Sequence, residues 1–475
     1  MKLKNYFVIF ALFLLLICCA STINAVSDDD GITLDQSTEI DSVSIDENNA
    51  EPITVSQDEP VLEKTNDDIK SEDSSSSLSP YKQFKKDIEE NKGTIYLQGD
   101  ISISSAFVLK EKYVIDGQGH TIDAQHKTNI FESRGGSLVL KNMVLKNGKS
   151  DYGGAIFAKG KLTIDNCKFI GNTATEAGGA VAITGGQLTI TNSKFEKNTV
   201  ETSKSAGYGG ALWIQKSSSK ISKTTFKSNK CISKKLKKHG QATKYKFNGG
   251  AIIYSMGSSH SLTECTFSNN KASNHGGAIF VFKTKSLSMK KCNFNKNRAG
   301  YEDGGAISFA GQKLTINSCN FKNNLAYEDG GAIDSYSLNS KKIKITIKKS
   351  LFQSNTGWKC GGAIWMGVKT VYKVSDTKFI KNKASSAGAV EAEDGSSQFT
   401  KCTFKSNKAA KVTSWVVKTK SGGRLAHSGG AILVKNKCKI TKCTFKGNKA
   451  TWGKVVKVEG GKVTAKSNKG LKVDK

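Results

Sequence analysis

The sequence predicts an all-β chain, a right-handed single-stranded parallel β-helix of about a dozen rungs with an N-terminal capping helix. Two observations carry that expectation. Phe-x-x-Asn occurs ten times and Gly-Gly-Ala nine times between residues 144 and 450, alternating with a period of about 26 residues. Repetition on that scale marks a stacked solenoid, in which no unit buries its apolar face alone. Within each repeat the apolar residues recur every second position, which is the period of a strand and not of a helix.

The elements follow in order. Residues 1–25 read as a secretory signal, with Lys2 and Lys4 ahead of an apolar run and Ile23-Asn24-Ala25 as an acceptable cleavage site, a retained membrane anchor being the alternative. Residues 26–80 form an acidic linker, with sixteen carboxylates against Lys64 and Lys70 and a serine run at Ser74–Ser77. Such a composition buries too little apolar surface to fold, so disorder is expected. All three prolines fall at or before Pro80, and none interrupts the ladders beyond it. Residues 81–475 are then one β-helix domain. Tyr81–Asn91 has helical spacing, through Phe84 and Ile88, and is placed as a cap over the first open edge. Stacking begins at Val114–Asp123, and the repeat fades after Val458.

A single rung reads as follows. The residue after Gly-Gly-Ala is always aliphatic, from Ile156 to Ile432, and faces inward. The residue five before each Phe is apolar, and the one two before it is Cys in six rungs and Ser or Thr in the other four. These positions share parity with the Phe and should line the same interior. The Asn belongs at a turn where its amide bonds neighbouring rungs, and the glycines at a corner needing positive φ or close approach.

Charge and cysteine narrow the setting. The chain carries a net +31, and the leader's two lysines and the linker's −14 leave about +43 on residues 81–475. Part of this is ordered, since Lys230, Lys271, Arg298, Lys383, Lys408 and Lys449 each follow a repeated Asn. Stacked like charges repel unless an anion meets them, so the stripe reads either as a solubility device or as contact with an acidic surface. No nucleic-acid-binding motif is recognisable, which with export speaks against that partner. Nine cysteines remain after the leader, and the repeat treats six of them as interchangeable with Ser and Thr, so they read as free core thiols. No cofactor motif is present, and no membrane span follows the signal.

Candidate site residues come from three places. The column two residues after Ala is expected to face solvent and includes Phe157, Trp213, Phe280 and Trp365, aromatic platforms suited to sugar rings. The same column holds Asp334 and Glu391, two rungs and about 9.6 Å apart, a spacing compatible with the acid and base of an inverting glycosidase. Insertions at one corner, within 199–208, 230–248 and 408–428, supply Lys234, Lys235, Lys237 and Lys238 for anion contact and an apolar tip at Trp415. Glu302, Asp303, Glu328 and Asp329 stack on adjacent rungs as weak candidates for a hard cation, with Lys359 placed to neutralise them instead.

The Gly-Gly-Ala-Ile and Phe-x-x-Asn pair resembles the repeats of chlamydial polymorphic outer-membrane proteins. With its signal, acidic linker and Ile-Asp-Gly-Gln-Gly-His-Thr-Ile-Asp stretch at 115–123, the chain is still more similar to secreted adhesin-like proteins of methanogenic archaea. The resemblance implies surface display and adhesion. The shape is also similar to pectate lyases and polygalacturonases, but no Asp-Asp pair occurs within 81–475. The reading is therefore a secreted, cell-surface adhesin-like protein that binds an extracellular glycan, an anionic wall polymer or a partner-cell surface. A polysaccharide lyase or glycoside hydrolase is the alternative, and a purely structural envelope component the third.

Overall fold

The computed structural model describes residues 78–234, 246–338, 341–410, 429–451 and 455–474. The signal, the linker as far as Ser77, Lys235, Lys237, Lys238 and Trp415 lie outside the described residues. Leu78–Lys475 is a right-handed parallel β-solenoid of about 12 turns. Its strands form one 26-stranded sheet and two 13-stranded sheets, with every named pairing parallel. A typical rung contributes two segments to the long sheet and one to each short sheet; the third sheet begins only at Lys149–Tyr152, and the rungs with insertions at 199–208 and 230–248 each give it two strands. The first long-sheet segment follows Gly-Gly-Ala, and the Phe sits on the second sheet. The third sheet starts after the Asn.

Helix α1 (Pro80–Glu90) closes the N-terminal end. Ser79 caps it, Pro80 needs no amide partner in its first turn, and Asn91 leaves it in the left-handed region at φ 47°. Phe84 and Ile88 are buried, and the Phe84 ring meets Phe107 edge-on at 5.1 Å. The expected cap is thus present, one residue earlier than the spacing suggested.

Two ladders hold the rungs together. The ten phenylalanines form one continuous stack, Phe169 to Phe445, with centroids 4.5–5.1 Å apart. Beside it runs the Asn ladder. Asn297 Oδ1 accepts from both Asn270 N and Asn270 Nδ2 at 3.1 and 2.9 Å, while Asn297 Nδ2 donates to Phe267 O and to Asn324 Oδ1 at 3.0 Å each. The pattern repeats from Asn172 to Asn448. Hydrogen bonds to each polar group of the buried amide offset its desolvation cost, and loss of the side chain would orphan backbone groups in two rungs.

The two glycines do different jobs. Gly178 takes φ +64°, and a Cβ on Gly179 would lie 2.1 Å from Gly210 O and 2.7 Å from Thr199 N. The chain beyond the Asn therefore swings outward and returns to pass against its own backbone. In the degenerate rung Ala387 takes the first glycine's place at φ 53°, at a cost of about 1–2 kcal/mol.

All nine described cysteines are free, and eight are buried. The repeat also outlasts its motifs. Lys462–Lys466 pairs with Lys437–Thr441, and Val473–Asp474 with Val456–Lys457. Backbone ladders need no Gly-Gly or Phe, so the fading seen in the sequence after Val458 is not a fading of the stack.

Candidate functional site

The outswing before each Gly-Gly turns the first long-sheet segment into one wall of a groove. The facing wall is the residue just before Gly-Gly: Tyr152, Ala177, Tyr208, Asn248, His275, Asp303, Asp329 and Cys360 on successive rungs. This geometry corrects the expectation that the column after Ala meets solvent. Trp213 is 6% exposed and Phe280 5%, while Ala182, Ile253 and Leu433 are buried and Phe157 and Trp365 half-buried. Trp213 packs on Tyr152 at 5.7 Å and Phe280 on His275 at 5.9 Å between centroids. Trp213 and Phe280 are thus packing residues, with no open face for a sugar.

The groove changes character along its length. From Phe157 to Phe280 its column is apolar, whereas beyond it come Ser308, Asp334, Trp365 and Glu391. Register places Asp334 beside Trp365 and Trp365 beside Glu391, as the spacing required. Both carboxyls are buried, at 0% and 1% exposure. Ser308 Oγ donates to Asp334 Oδ2 at 2.8 Å, and Lys435 Nζ donates to Glu391 Oε1 at 3.0 Å and to Glu393 Oε2 at 2.9 Å. Asp334 Oδ1 and Glu391 Oε2 have no hydrogen-bond partner among the described residues. Burial raises the pKa of both, and nearby Asp303 adds to the effect on Asp334. In this closed arrangement neither carboxyl reaches a polymer outside.

The stacked acidic residues are spoken for by the fold. Asp303 Oδ1 accepts from Asp329 N at 2.9 Å, and Asp329 Oδ1 from Cys360 N at 3.0 Å, a second side-chain ladder beside the Asn ladder. His275 Nε2 lies 2.5 Å from Glu302 Oε2, and Lys359 Nζ 2.8 Å from Glu328 Oε1. Burial works against the charge on His275, but Glu302 and Asp303 hold its pKa up at about 9. Burial pushes Asp303 up to about 6, while Glu302, despite its burial, is held near 2 by His275. No group of three or more His, Cys, Asp or Glu side chains among the described residues is arranged to hold a metal. His275, Ser308, Cys360, Lys435 and Glu393 were not singled out in the sequence; their only signal was position, before Gly-Gly or at the parity of the column.

The basic column, by contrast, is open. Lys230, Lys271 and Arg298 pair in register on consecutive strands of the third sheet, as do Lys383, Lys408 and Lys449. All but Lys383 are exposed. Partial burial lowers the pKa of Lys271, and Arg298 and Lys230 on either side lower it further. Leu325 and Thr356 separate the two basic runs. Lys234 is exposed just beyond the strand Lys230–Ser233.

Two family models match the chain, each over less than half of it. Residues 179–372 match a right-handed β-helix region, and residues 76–227 match a pectate-lyase-like adhesive domain. No curated protein and no solved structure matches. Among the described residues no helix is long and apolar enough to cross a membrane. Together the matches and the fold support a parallel β-helix protein of adhesin-like type.

Proposed function

We propose that this solenoid acts outside the cell as an adhesin-like protein that holds an anionic polymer, a polysaccharide or wall polymer, along its basic column. The observation that carries the reading is the in-register run Lys230, Lys271, Arg298, resumed at Lys383, Lys408, Lys449. Cations repeating every ~4.8 Å along one line repel one another in the free protein, and a polyanion lying along that line relieves the repulsion. The buried groove aromatics leave this column as the better-presented surface. The adhesive-domain match agrees with the reading.

Retention of the purified protein on immobilised polygalacturonate, against a neutral glucan, tests it. Binding should favour the acidic polymer, fall steeply between low and high salt, and weaken at least tenfold in Lys230→Gln/Lys271→Gln/Lys408→Gln. Equal retention on the neutral polymer overturns the reading. New reducing or unsaturated ends, lost in Glu391→Gln, would identify an enzyme instead.

A further inference from the structure

Away from both the groove and the basic column, the second long-sheet segment of every rung turns a flat face outward. From Gln187 to Lys466 its outward positions are Ser, Thr, Asn, Gln, Val or Lys, and none is Asp or Glu. Near its C-terminal end this face dips into a shallow depression of about 480 Å³ lined by Val371, Lys373, Ser396, Gln398, Lys437, Lys439, Lys462 and Thr464. That volume lies within the range of small-molecule sites.

The dip has a simple cause. Ser396 is flanked across the sheet by Val371 on one side and by Lys437, then Lys462, on the other. A short side chain forms the floor and longer ones stand round it. Gln398 is likewise set between Lys373 and Lys439. The four lysines are exposed, and none forms an ion pair among the described residues. At ~4.8 Å between strands and ~6.7 Å between alternate residues, the four lysines rise from backbone positions within about 16 Å of one another, with the hydroxyls and amide of Ser396, Gln398 and Thr464 set among them.

We infer that this depression is a binding site for a short acidic oligosaccharide, whose carboxylate or sulfate groups meet Lys373, Lys437, Lys439 and Lys462 while its hydroxyls bond Ser396, Gln398 and Thr464. Lysine presents a rotatable point charge that accepts either anion, so the chemistry shared by the two ligands is a ring bearing hydroxyls and a fixed negative group. The inference rests on the anionic-polymer reading and adds a discrete site to it.

Calorimetric titration of the full-length protein with trigalacturonate, a sulfated disaccharide, maltotriose and inorganic phosphate tests the site. The two acidic sugars should bind and maltotriose should not; which acidic sugar binds more tightly separates the carboxylate from the sulfate source. Lys437→Gln/Lys439→Gln/Lys462→Gln should weaken that binding at least tenfold. So should Ser396→Trp, which fills the floor and leaves the charge unchanged. Lys313→Gln/Lys344→Gln, farther along the same face, should not. Three results overturn the site: wild-type affinity in Ser396→Trp, equal loss in the Lys313/Lys344 variant, or equally tight binding of inorganic phosphate. Retention of long polygalacturonate, read in parallel, separates the two ideas. Retention without short-sugar binding overturns this site alone, and absence of retention overturns the wider reading.

Discussion

The two halves of the groove share one backbone and differ in chemistry. In the N-terminal half Phe157, Trp213, Ile253 and Phe280 fill it as a small second core; in the C-terminal half Asp334 and Glu391 occupy the same register positions, with Asp303 and Asp329 across from them. Apolar burial is self-sufficient, whereas buried carboxyls need protons, cations or backbone N–H groups to remain there. The repeat therefore sets the backbone and the interior, and leaves the groove free to be either packing or polar machinery.

If the interior is indifferent to that change, Phe195→Ala and Phe321→Ala, one under each half, should each cost about 3–5 kcal/mol in denaturant unfolding. A large inequality would show that the halves differ inside as well. Next in size is Lys435→Met, which strands Glu391 without its cation. It should destabilise by about 3 kcal/mol at pH 8 and by less as the pH falls, because burial raises the Glu391 pKa and favours its neutral form. Adding Glu391→Leu should recover most of the loss.

The pH response sharpens the comparison further. Asp303 rises from its ordinary 3.8 to about 6, and His275 from 6.5 to about 9. Both folded values are raised. Each contribution is complete below the unfolded pKa and lost as pH climbs through the folded one, between 3.8 and 6 for Asp303 and between 6.5 and 9 for His275. Glu302 works oppositely but only at the acid end, its contribution being complete above 4.5 and lost as pH falls toward 2. From about pH 5 to 9 the rungs from His275 to Asp334 should thus lose about 1–3 kcal/mol, seen as falling hydrogen-exchange protection after correction for intrinsic rates. The rungs of Phe157, Trp213 and Ile253, which lie ahead of His275, should stay flat, and parallel loss there would refute the assignment. The smallest effect belongs to the surface. Lys271→Gln should leave stability unchanged or raise it by up to about 0.5 kcal/mol, since Lys271 is flanked by Lys230 and Arg298.

The interior was legible because Phe, Asn and the paired glycines each answer a steric demand that recurs in every rung. The groove was not. Alternation correctly assigned Trp213 and Phe280 to the outer side of the strand, but outer meant exposed only if nothing returned to cover them. The covering residues, Tyr152 and His275, precede Gly-Gly and belong to a segment whose path depends on Gly179 passing against Thr199. Asp303 and Asp329 looked like cation ligands because stacked carboxylates repel; their use as acceptors for the next rung's N–H is visible only once the register is known. The last rung lay inside the expected domain but read as a fading of the repeat, because Lys462–Lys466 keeps its pairing without either motif.

The Asn ladder also has a direction in time. The backbone N–H and one amide hydrogen of Asn198 are taken by Oδ1 of Asn229, which lies in the rung made later. Each rung is therefore left with open donors until its successor arrives, while its own carbonyl has already closed the rung before. A chain emerging N-terminus first would meet α1 as a ready-made lid and then add turns in sequence, each new turn satisfying the last. Such a molecule assembles like a zip with its stop at the beginning, and a chain cut short would end in an unfinished, adhesive rung.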